Sequence, residues 1–233
     1  MVTEKKIQRQ FNRGCANYQL LEDGDRILIA LSGGKDSLML LRLLAARSRI
    51  HKPLIHVEAA HVVMDNIPYE SDHDYLQQFC QEQGIRLHIL HSHFDDSTDP
   101  RKTRCYLCAQ SRRRTLFHFA VENGFNKVAL GHHQDDILTT FLMNLTFEGS
   151  ATSMLPSLQM EHFPLTIIRP LCLVHEADIR QIAQTYGFHK QKATCPYEQE
   201  TRRKTMNDLF HQLQSINPEA RYSLWQALMK EKE

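Results

Sequence analysis

Ile27-Leu28-Ile29-Ala30-Leu31-Ser32-Gly33-Gly34-Lys35-Asp36-Ser37-Leu38 is the stretch on which the fold turns. Its first five residues are an unbroken apolar run, the pattern of a short strand buried on both faces. Two consecutive glycines then permit a tight turn with exposed backbone N–H groups, and the periodicity from Leu38 through residue 46 is helical. Backbone donors, the hydroxyls of Ser32 and Ser37 and the positive end of a helix thus surround one point. A phosphate group fits there.

Outward from this unit the alternation repeats. Strand patterns cover 55–64, 86–90, 127–130 and 165–168, and helical patterns cover 69–83, 107–123, 135–145 and 175–186. Alternating strands and helices imply an α/β fold with a parallel five-stranded sheet and helices on both faces, Rossmann-like in general form. Ahead of the sheet, residues 4–21 read as an amphipathic helix with Lys5, Lys6, Arg9 and Arg13 on its polar side. We therefore divide the chain into a basic helical element at 1–24, a phosphate-binding domain at 25–189 and, where the strand signal disappears, a small helical C-terminal appendage at 190–233. The appendage carries helical patterns at 206–213 and 218–229. Two long loops, 92–104 and 149–163, break the alternation and are where function is expected.

The chain of 233 residues is long enough for a sizeable core, and 42% apolar against 24% charged residues excludes disordered and collagen-like classes. No apolar run approaches the roughly 18 residues of a membrane span, and the basic start MVTEKKIQRQ leads into no secretory apolar core. A cytoplasmic protein without membrane contact is expected. With 28 basic and 27 acidic side chains the net charge is +1, so any nucleic-acid surface depends on where the charges lie. They are uneven: Arg101, Lys102, Arg104, Arg112, Arg113 and Arg114 fall in one segment, 100–121, that holds no acid. Arg202, Arg203 and Lys204 form a second run. Such runs bind RNA phosphates or are simply solvated.

Competing phosphate motifs fail at the glycine turn. A Walker A loop would need glycine at Ile29 and Ser or Thr at Asp36, and Gly-x-Gly-x-x-Gly is absent. A second segment, Gly131-His132-His133-Gln134-Asp135-Asp136, ends the 127–130 strand, where open α/β sheets place ligands. Its adjacent carboxylates could hold Mg²⁺ against a phosphate chain or could cap a helix, and both roles are compatible. Six cysteines in a chain of this length, with no export signal, argue against a disulfide scaffold. Cys105-Tyr106-Leu107-Cys108 opens a helix among arginines, and Cys195 follows far downstream, near Arg202 and Arg203. A helix N-terminus and cationic neighbours favour thiolate character, hence metal ligation or nucleophilic chemistry. On residues alone the trio is open among an iron–sulfur cluster, a Cys₃His zinc site and catalytic thiols. Cys15, Cys80 and Cys172 lie in apolar patterns and read as buried small hydrophobes.

Ser-Gly-Gly-x-Asp-Ser at Ser32, Gly33, Gly34, Lys35, Asp36 and Ser37 resembles the signature of the PP-loop ATP pyrophosphatases, and Gly-His-x-x-Asp-Asp resembles the segment that accompanies it in tRNA-modifying members. With the cysteine spacing, and with Leu21-Glu22-Asp23-Gly24-Asp25-Arg26 and Ile168-Arg169-Pro170-Leu171, the chain resembles the tRNA-cytidine 2-sulfurtransferases (2-thiocytidine synthetases) over about residues 7–213. That resemblance implies ATP bound by 32–37, Gly131 and His132. It gives Asp36, Asp135 and Asp136 catalytic roles with Mg²⁺, and a [4Fe–4S] cluster to Cys105, Cys108 and Cys195. Its implied partners are tRNA held by Arg101, Lys102, Arg104, Arg112, Arg113, Arg114, Arg202 and Arg203, a sulfur donor such as a cysteine desulfurase, and a second copy in a homodimer. The implied reaction adenylates cytidine O2 and replaces it with sulfur. A lysidine-synthetase-like ligase and a non-catalytic ATP-binding redox module are the alternatives. One departure is visible: some members carry a second C-x-x-C at the distal site, whereas here Lys192-Ala193-Thr194 precedes Cys195.

Overall fold

The apolar run at 27–31 forms the centre of a six-stranded sheet in the computed structural model, which describes residues 4–67, 71–95, 103–189 and 202–230. In chain order the elements are α1 (Glu4–Asn17), β1 (Arg26–Ala30), α2 (Lys35–Ser48), β2 (His56–Met64), α3 (His73–Glu82), β3 (Leu87–Ser92) and α4 (Arg104–Glu122). Then come β4 (Lys127–Ala129), α5 (Gln134–Met143), β5 (Ser157–Gln159), β6 (Thr166–Ile168), α6 (Glu176–Thr185), α7 (Arg202–Ile216) and α8 (Ala220–Lys230). A single π-helical turn, Asn144–Glu148, extends α5. No helix among the described residues is long and apolar enough to cross a membrane.

The sheet runs β3-β2-β1-β4-β6-β5, parallel throughout except for β5. The chain builds outward from β1 in one direction through β2 and β3, then returns to β4 on the other side, so the topological switch lies between β1 and β4. The sixth strand corrects the expectation of five. Ser157–Gln159 pairs antiparallel with β6, and its side chains are half-exposed or exposed, so it leaves no hydrophobic alternation to be read.

Alternation along the central strands sorts the core. Ile27 and Ile29 pack with α1, α2, α3 and α6 on one face, whereas Leu28 packs with Leu116, Phe117 and Ala120 of α4 on the other. All three β1 side chains are fully buried. A third cluster joins Ile137, Leu138 and Phe141 of α5 to Met206 and Phe210 of α7 and Trp225 and Leu228 of α8. The C-terminal helices therefore sit on the element that carries the second motif.

The turn before β1 closes the opposite end of the sheet. Asp25 accepts from Glu22 N (2.7 Å), from Asn126 Nδ2 (2.9 Å) and from the buried Lys127 ammonium (2.8 Å), which also donates to Leu20 O. A lysine inside a strand is tolerated because its charge is paired and hydrogen-bonded. The polar 21–26 segment is thereby bolted to β4.

Candidate active site

At the carboxyl end of β1 the glycine turn has the backbone its sequence requires. Gly33 sits at φ +83°, where a side chain would be strained. Helix α2 starts at Lys35, earlier than its apolar periodicity suggests, so the N–H groups of its first turn have no intrahelical acceptor and can receive an anion. Hydroxyls brace the turn. Ser32 Oγ accepts from Gly34 N (3.3 Å) and donates to Ser37 Oγ (3.1 Å), which donates to Gly34 O (2.9 Å).

The second motif lies against the first, main chain to main chain. A Cβ on Gly131 would stand 3.1 Å from Ser37 N and 3.2 Å from the Asp36 carbonyl carbon, so only glycine allows this approach across the switch point. His133 caps α5: its Nδ1 accepts from Asp136 N (3.3 Å) while Asp136 Oδ2 accepts from His133 N (3.1 Å). Accepting at Nδ1 assigns the ring proton to Nε2, which faces Asp136 Oδ2 at 3.4 Å and Asp36 Oδ1 at 3.8 Å.

Charges alternate around a cavity of about 320 Å³ lined by Lys35, Asp36, His133, Asp136, Glu176 and Arg203, among others. Lys35 Nζ lies 3.0 Å from both Asp36 Oδ2 and Glu176 Oε1. Burial pulls its pKa down, but those two carboxylates outweigh burial and hold the ammonium above its ordinary value. Asp135 is fully committed: Oδ1 accepts from Arg221 Nη2 (2.6 Å) and Oδ2 from Glu176 N (2.9 Å). Burial raises its pKa, yet Arg221 and the Glu176 amide hold it below the usual carboxylate range. Asp136 Oδ1 accepts from Arg203 Nη2 at 2.6 Å. Asp36 Oδ1, by contrast, is buried with no hydrogen-bond partner. That open oxygen suits a divalent cation beside Asp136, whose Oδ1 is held only by the half-exposed Arg203, whereas Asp135 is buried with both oxygens held by Arg221 and the Glu176 amide, an arrangement suited to positioning.

On the other side of the turn a smaller cavity, about 190 Å³, opens between β1, β2, β4 and α4. Leu31, Val62, Leu116 and Phe117 give it apolar walls, and Arg113 and His132 stand at its rim. Arg169 Nε donates to His132 Nδ1 (3.3 Å). Burial, together with the Arg169 charge, lowers His132 to about 4, so the imidazole is neutral; burial and the Arg113 charge lower Arg169 to about 10.

The paired cysteines occupy the first two turns of α4, capped by Thr103, whose Oγ1 accepts from Tyr106 N (3.3 Å). Cys105 is exposed and Cys108 half-exposed. The β3-α4-β4 crossover starts α4 at the carboxyl end of the sheet, and Ser111 ties it to that end through Ser92 Oγ (2.7 Å) and His93 O (2.7 Å). Arg112 and Arg113, one turn beyond Cys108, line the smaller cavity together with Ser32. The cysteine helix and the glycine turn thus share one edge of the molecule. Cys15, Cys80 and Cys172 differ: burial pushes each thiol up to about 12, which suits packing and not ligation.

Not every expected residue converges. Cys195, Arg101 and Lys102 lie outside the described residues, as does the side chain of Arg202. Arg104 is exposed at the start of α4, and Arg114 faces a shallow groove with His91 and His118, away from the turn. Arg203, expected among RNA contacts, pairs with Asp136. Among the described residues no three His, Cys, Asp or Glu side chains form a metal-binding group. Sequence reasoning missed Glu176, Arg221 and the capping role of His133. An acid at a helix start, Glu176 after His175, was the one available signal; nothing in the pattern of α8 marks Arg221.

A phosphate-type turn after β1, a glycine contact across the switch point and an acid-and-lysine cavity define an α/β protein of the PP-loop class, and the PP-loop domain family matches residues 3–213. The chain belongs to that family and, within it, to the tRNA-cytidine 2-sulfurtransferases, a group of transferases. It is 34% identical over 231 residues to the tRNA-cytidine(32) 2-sulfurtransferase of Geobacter metallireducens, covering 96% of this chain and 89% of that one. The corresponding enzyme 1 of Francisella tularensis subsp. novicida is 34% identical over 235 residues, covering 97% and 87%. Among solved structures, the U34-tRNA thiolase NcsA of Methanococcus maripaludis, with its [4Fe–4S] cluster, shares the fold at TM-score 0.74 and 24% identity, covering 97% of this chain and 77% of that one.

Proposed function

We propose that this protein thiolates tRNA, using ATP to adenylate the O2 of a cytidine and replacing that oxygen with sulfur to give 2-thiocytidine, AMP and pyrophosphate. One observation carries the reading: α4 brings Cys105 and Cys108 to the sheet edge that holds the glycine turn, and its Arg112 and Arg113 line the cavity opening on Ser32. Relatives named tRNA-cytidine(32) 2-sulfurtransferases support the substrate, and the cluster-bearing thiolase of like fold supports the metal centre.

The residues divide the work. Adenine fits the apolar cavity beside Leu31, Val62 and Phe117, and the phosphates extend over 32–37 toward Lys35. Backbone N–H groups of α2 and the Lys35 ammonium stabilise charge on the departing pyrophosphate. Asp36 and Asp136 would hold Mg²⁺, which neutralises phosphate charge when bound. Asp135 keeps α5 and the start of α6 in register through the Glu176 amide. Cys105, exposed, and Cys108, half-exposed, sit on one helix face at i and i+3 and fit a cluster whose third ligand would be Cys195. Bound by these cysteines, a cluster would supply an iron site for the sulfur to be delivered. Neutral His132 adds no charge at the adenosine side.

Anaerobically purified protein should contain iron and acid-labile sulfide, and Cys105→Ala should lose both along with 2-thiocytidine formation while still binding ATP. Nucleoside mass spectrometry of tRNA incubated with ATP and a sulfide source reads the product. Pyrophosphate release with tRNA but no thiolated nucleoside would instead favour a ligase of lysidine-synthetase type.

A further inference from the structure

We propose that Arg203, on the first turn of α7, is a ligand for the departing pyrophosphate, parked on Asp136 until the anion arrives and the carboxylate is freed. The inference deepens the ATP reading above and rests on it. Two arginines from the C-terminal helices reach the adjacent carboxylates of α5, and they are built differently. Arg221 is largely buried, bonded to Asp135 (2.6 Å), Gln134 Oε1 (3.3 Å) and Gln214 Oε1 (3.2 Å) and laid over the Phe210 ring at 4.9 Å. Its carboxylate partner is 6% exposed, so that pair is a fixed brace. The Arg203 side chain is 48% exposed and Asp136 21% exposed. A half-exposed pair of this kind is weak and readily exchanged.

Position supplies the second argument. Arg203 lines the larger cavity beside Lys204 and Asn207, on the α7 wall facing Lys35. Four carboxylates, Asp36, Asp135, Asp136 and Glu176, line or border that space, and Lys35 is already shared between two of them. A polyanion entering there needs a further cation that can turn toward it, and a guanidinium offers phosphate a bidentate, charge-assisted contact. The Arg203 charge is also felt at His132, one of the groups lowering its pKa, so its field reaches across the Gly131 turn. Exchange releases Asp136 Oδ1 to a cation at the moment phosphate oxygens arrive.

Calorimetric titration of the full chain with inorganic pyrophosphate and, separately, with AMP tests the assignment, each with and without Mg²⁺. Arg203→Ala should weaken pyrophosphate binding about tenfold or more, with AMP affinity unchanged within about twofold. Asp136→Asn should tighten metal-free pyrophosphate binding by about threefold or more, because it unparks the guanidinium, and this gain should vanish in the Arg203→Ala, Asp136→Asn double variant. A gain that persists in the double variant would reflect only the lost negative charge and would overturn the proposal. So would wild-type pyrophosphate affinity in Arg203→Ala, or a parallel loss of AMP binding, which would make Arg203 structural. Failure of the unmodified chain to bind either probe would overturn the nucleotide reading itself, and the proposal with it.

Discussion

Replacing Gly131 with alanine tests the contact on which the nucleotide site depends. The added methyl would lie 3.1 Å from Ser37 N, 3.2 Å from Asp36 C and 3.3 Å from Asp36 O. Ordinary contacts are about 3.5–4.0 Å, and all three neighbours are main chain, which cannot rotate aside as a side-chain tip could. Either the first turn of α2 or the β4–α5 turn must shift by several tenths of an ångström. Overpacking of this kind costs about 1–3 kcal/mol. Displacing the α2 N-terminus also misaims the N–H groups of the phosphate turn, so ATP affinity should fall by about tenfold, equivalent to about 1.4 kcal/mol. Urea unfolding gives the first quantity and calorimetric titration with ATP the second. Gly14→Ala is the control: its methyl meets Cys172 Sγ at 3.2 Å and Pro170 O at 3.3 Å, packed against α1 and away from the turn. That variant should shift the urea midpoint while leaving ATP affinity intact. A Gly131→Ala protein with wild-type midpoint and wild-type ATP affinity would refute the reasoning.

Other substitutions report on single groups. Asp135→Asn should lower stability at pH 7 by about 2–4 kcal/mol because Arg221 is left buried without its anion; a loss under about 0.5 kcal/mol in urea titrations would show that the pair does nothing. Since the Asp135 pKa is lowered on folding, its contribution is full above the unfolded value near about 4 and disappears as pH falls through the folded one, so the gap between wild type and variant should close in acid. His132, lowered to about 4, opposes folding on the acid side: its stabilising neutrality is complete above about 6.5 and declines by up to about 3 kcal/mol as pH drops toward 4. His132→Gln should flatten that part of the pH–stability curve, and an unchanged slope would exclude the residue as its source. In folded protein freed of metal by a chelator, at pH 8, iodoacetamide should label Cys105 and Cys108 and spare Cys15, Cys80 and Cys172, which at a pKa of about 12 are roughly one part in ten thousand thiolate. Peptide mass spectrometry showing early modification at Cys80 would contradict its burial.

The parts of this molecule written in local pattern were legible. Buried strands such as Ile27, Leu28 and Ile29 announce themselves as apolar runs because both faces are covered, and the glycine turn because Gly33 needs a positive φ. Helix starts were harder. Lys35, Asp36 and Ser37 are polar residues in a helical first turn, so periodicity placed the start of α2 at Leu38. Strand β5 escaped because its half-exposed and exposed side chains leave no hydrophobic alternation, and what holds it is antiparallel backbone pairing and the polar Thr166–Gln159 contact. Within the site, chemistry clustered along the chain was visible, whereas partners brought by tertiary packing were not: Arg221 reaches Asp135 across 86 residues of sequence. Arg203 looked like one more member of a basic run, since nothing in a charge run says which member turns inward.

The arginines that α7 and α8 lend to Asp135 and Asp136 make the tail of the chain an electrical counterweight to its acidic interior. A version shortened before α7 would keep the glycine turn and the whole sheet, yet carry two uncompensated anions at the mouth meant for a third. Such a fragment would repel the very guest it still has the backbone to grip, so the nucleotide-handling half of this molecule cannot be transplanted without its last two helices.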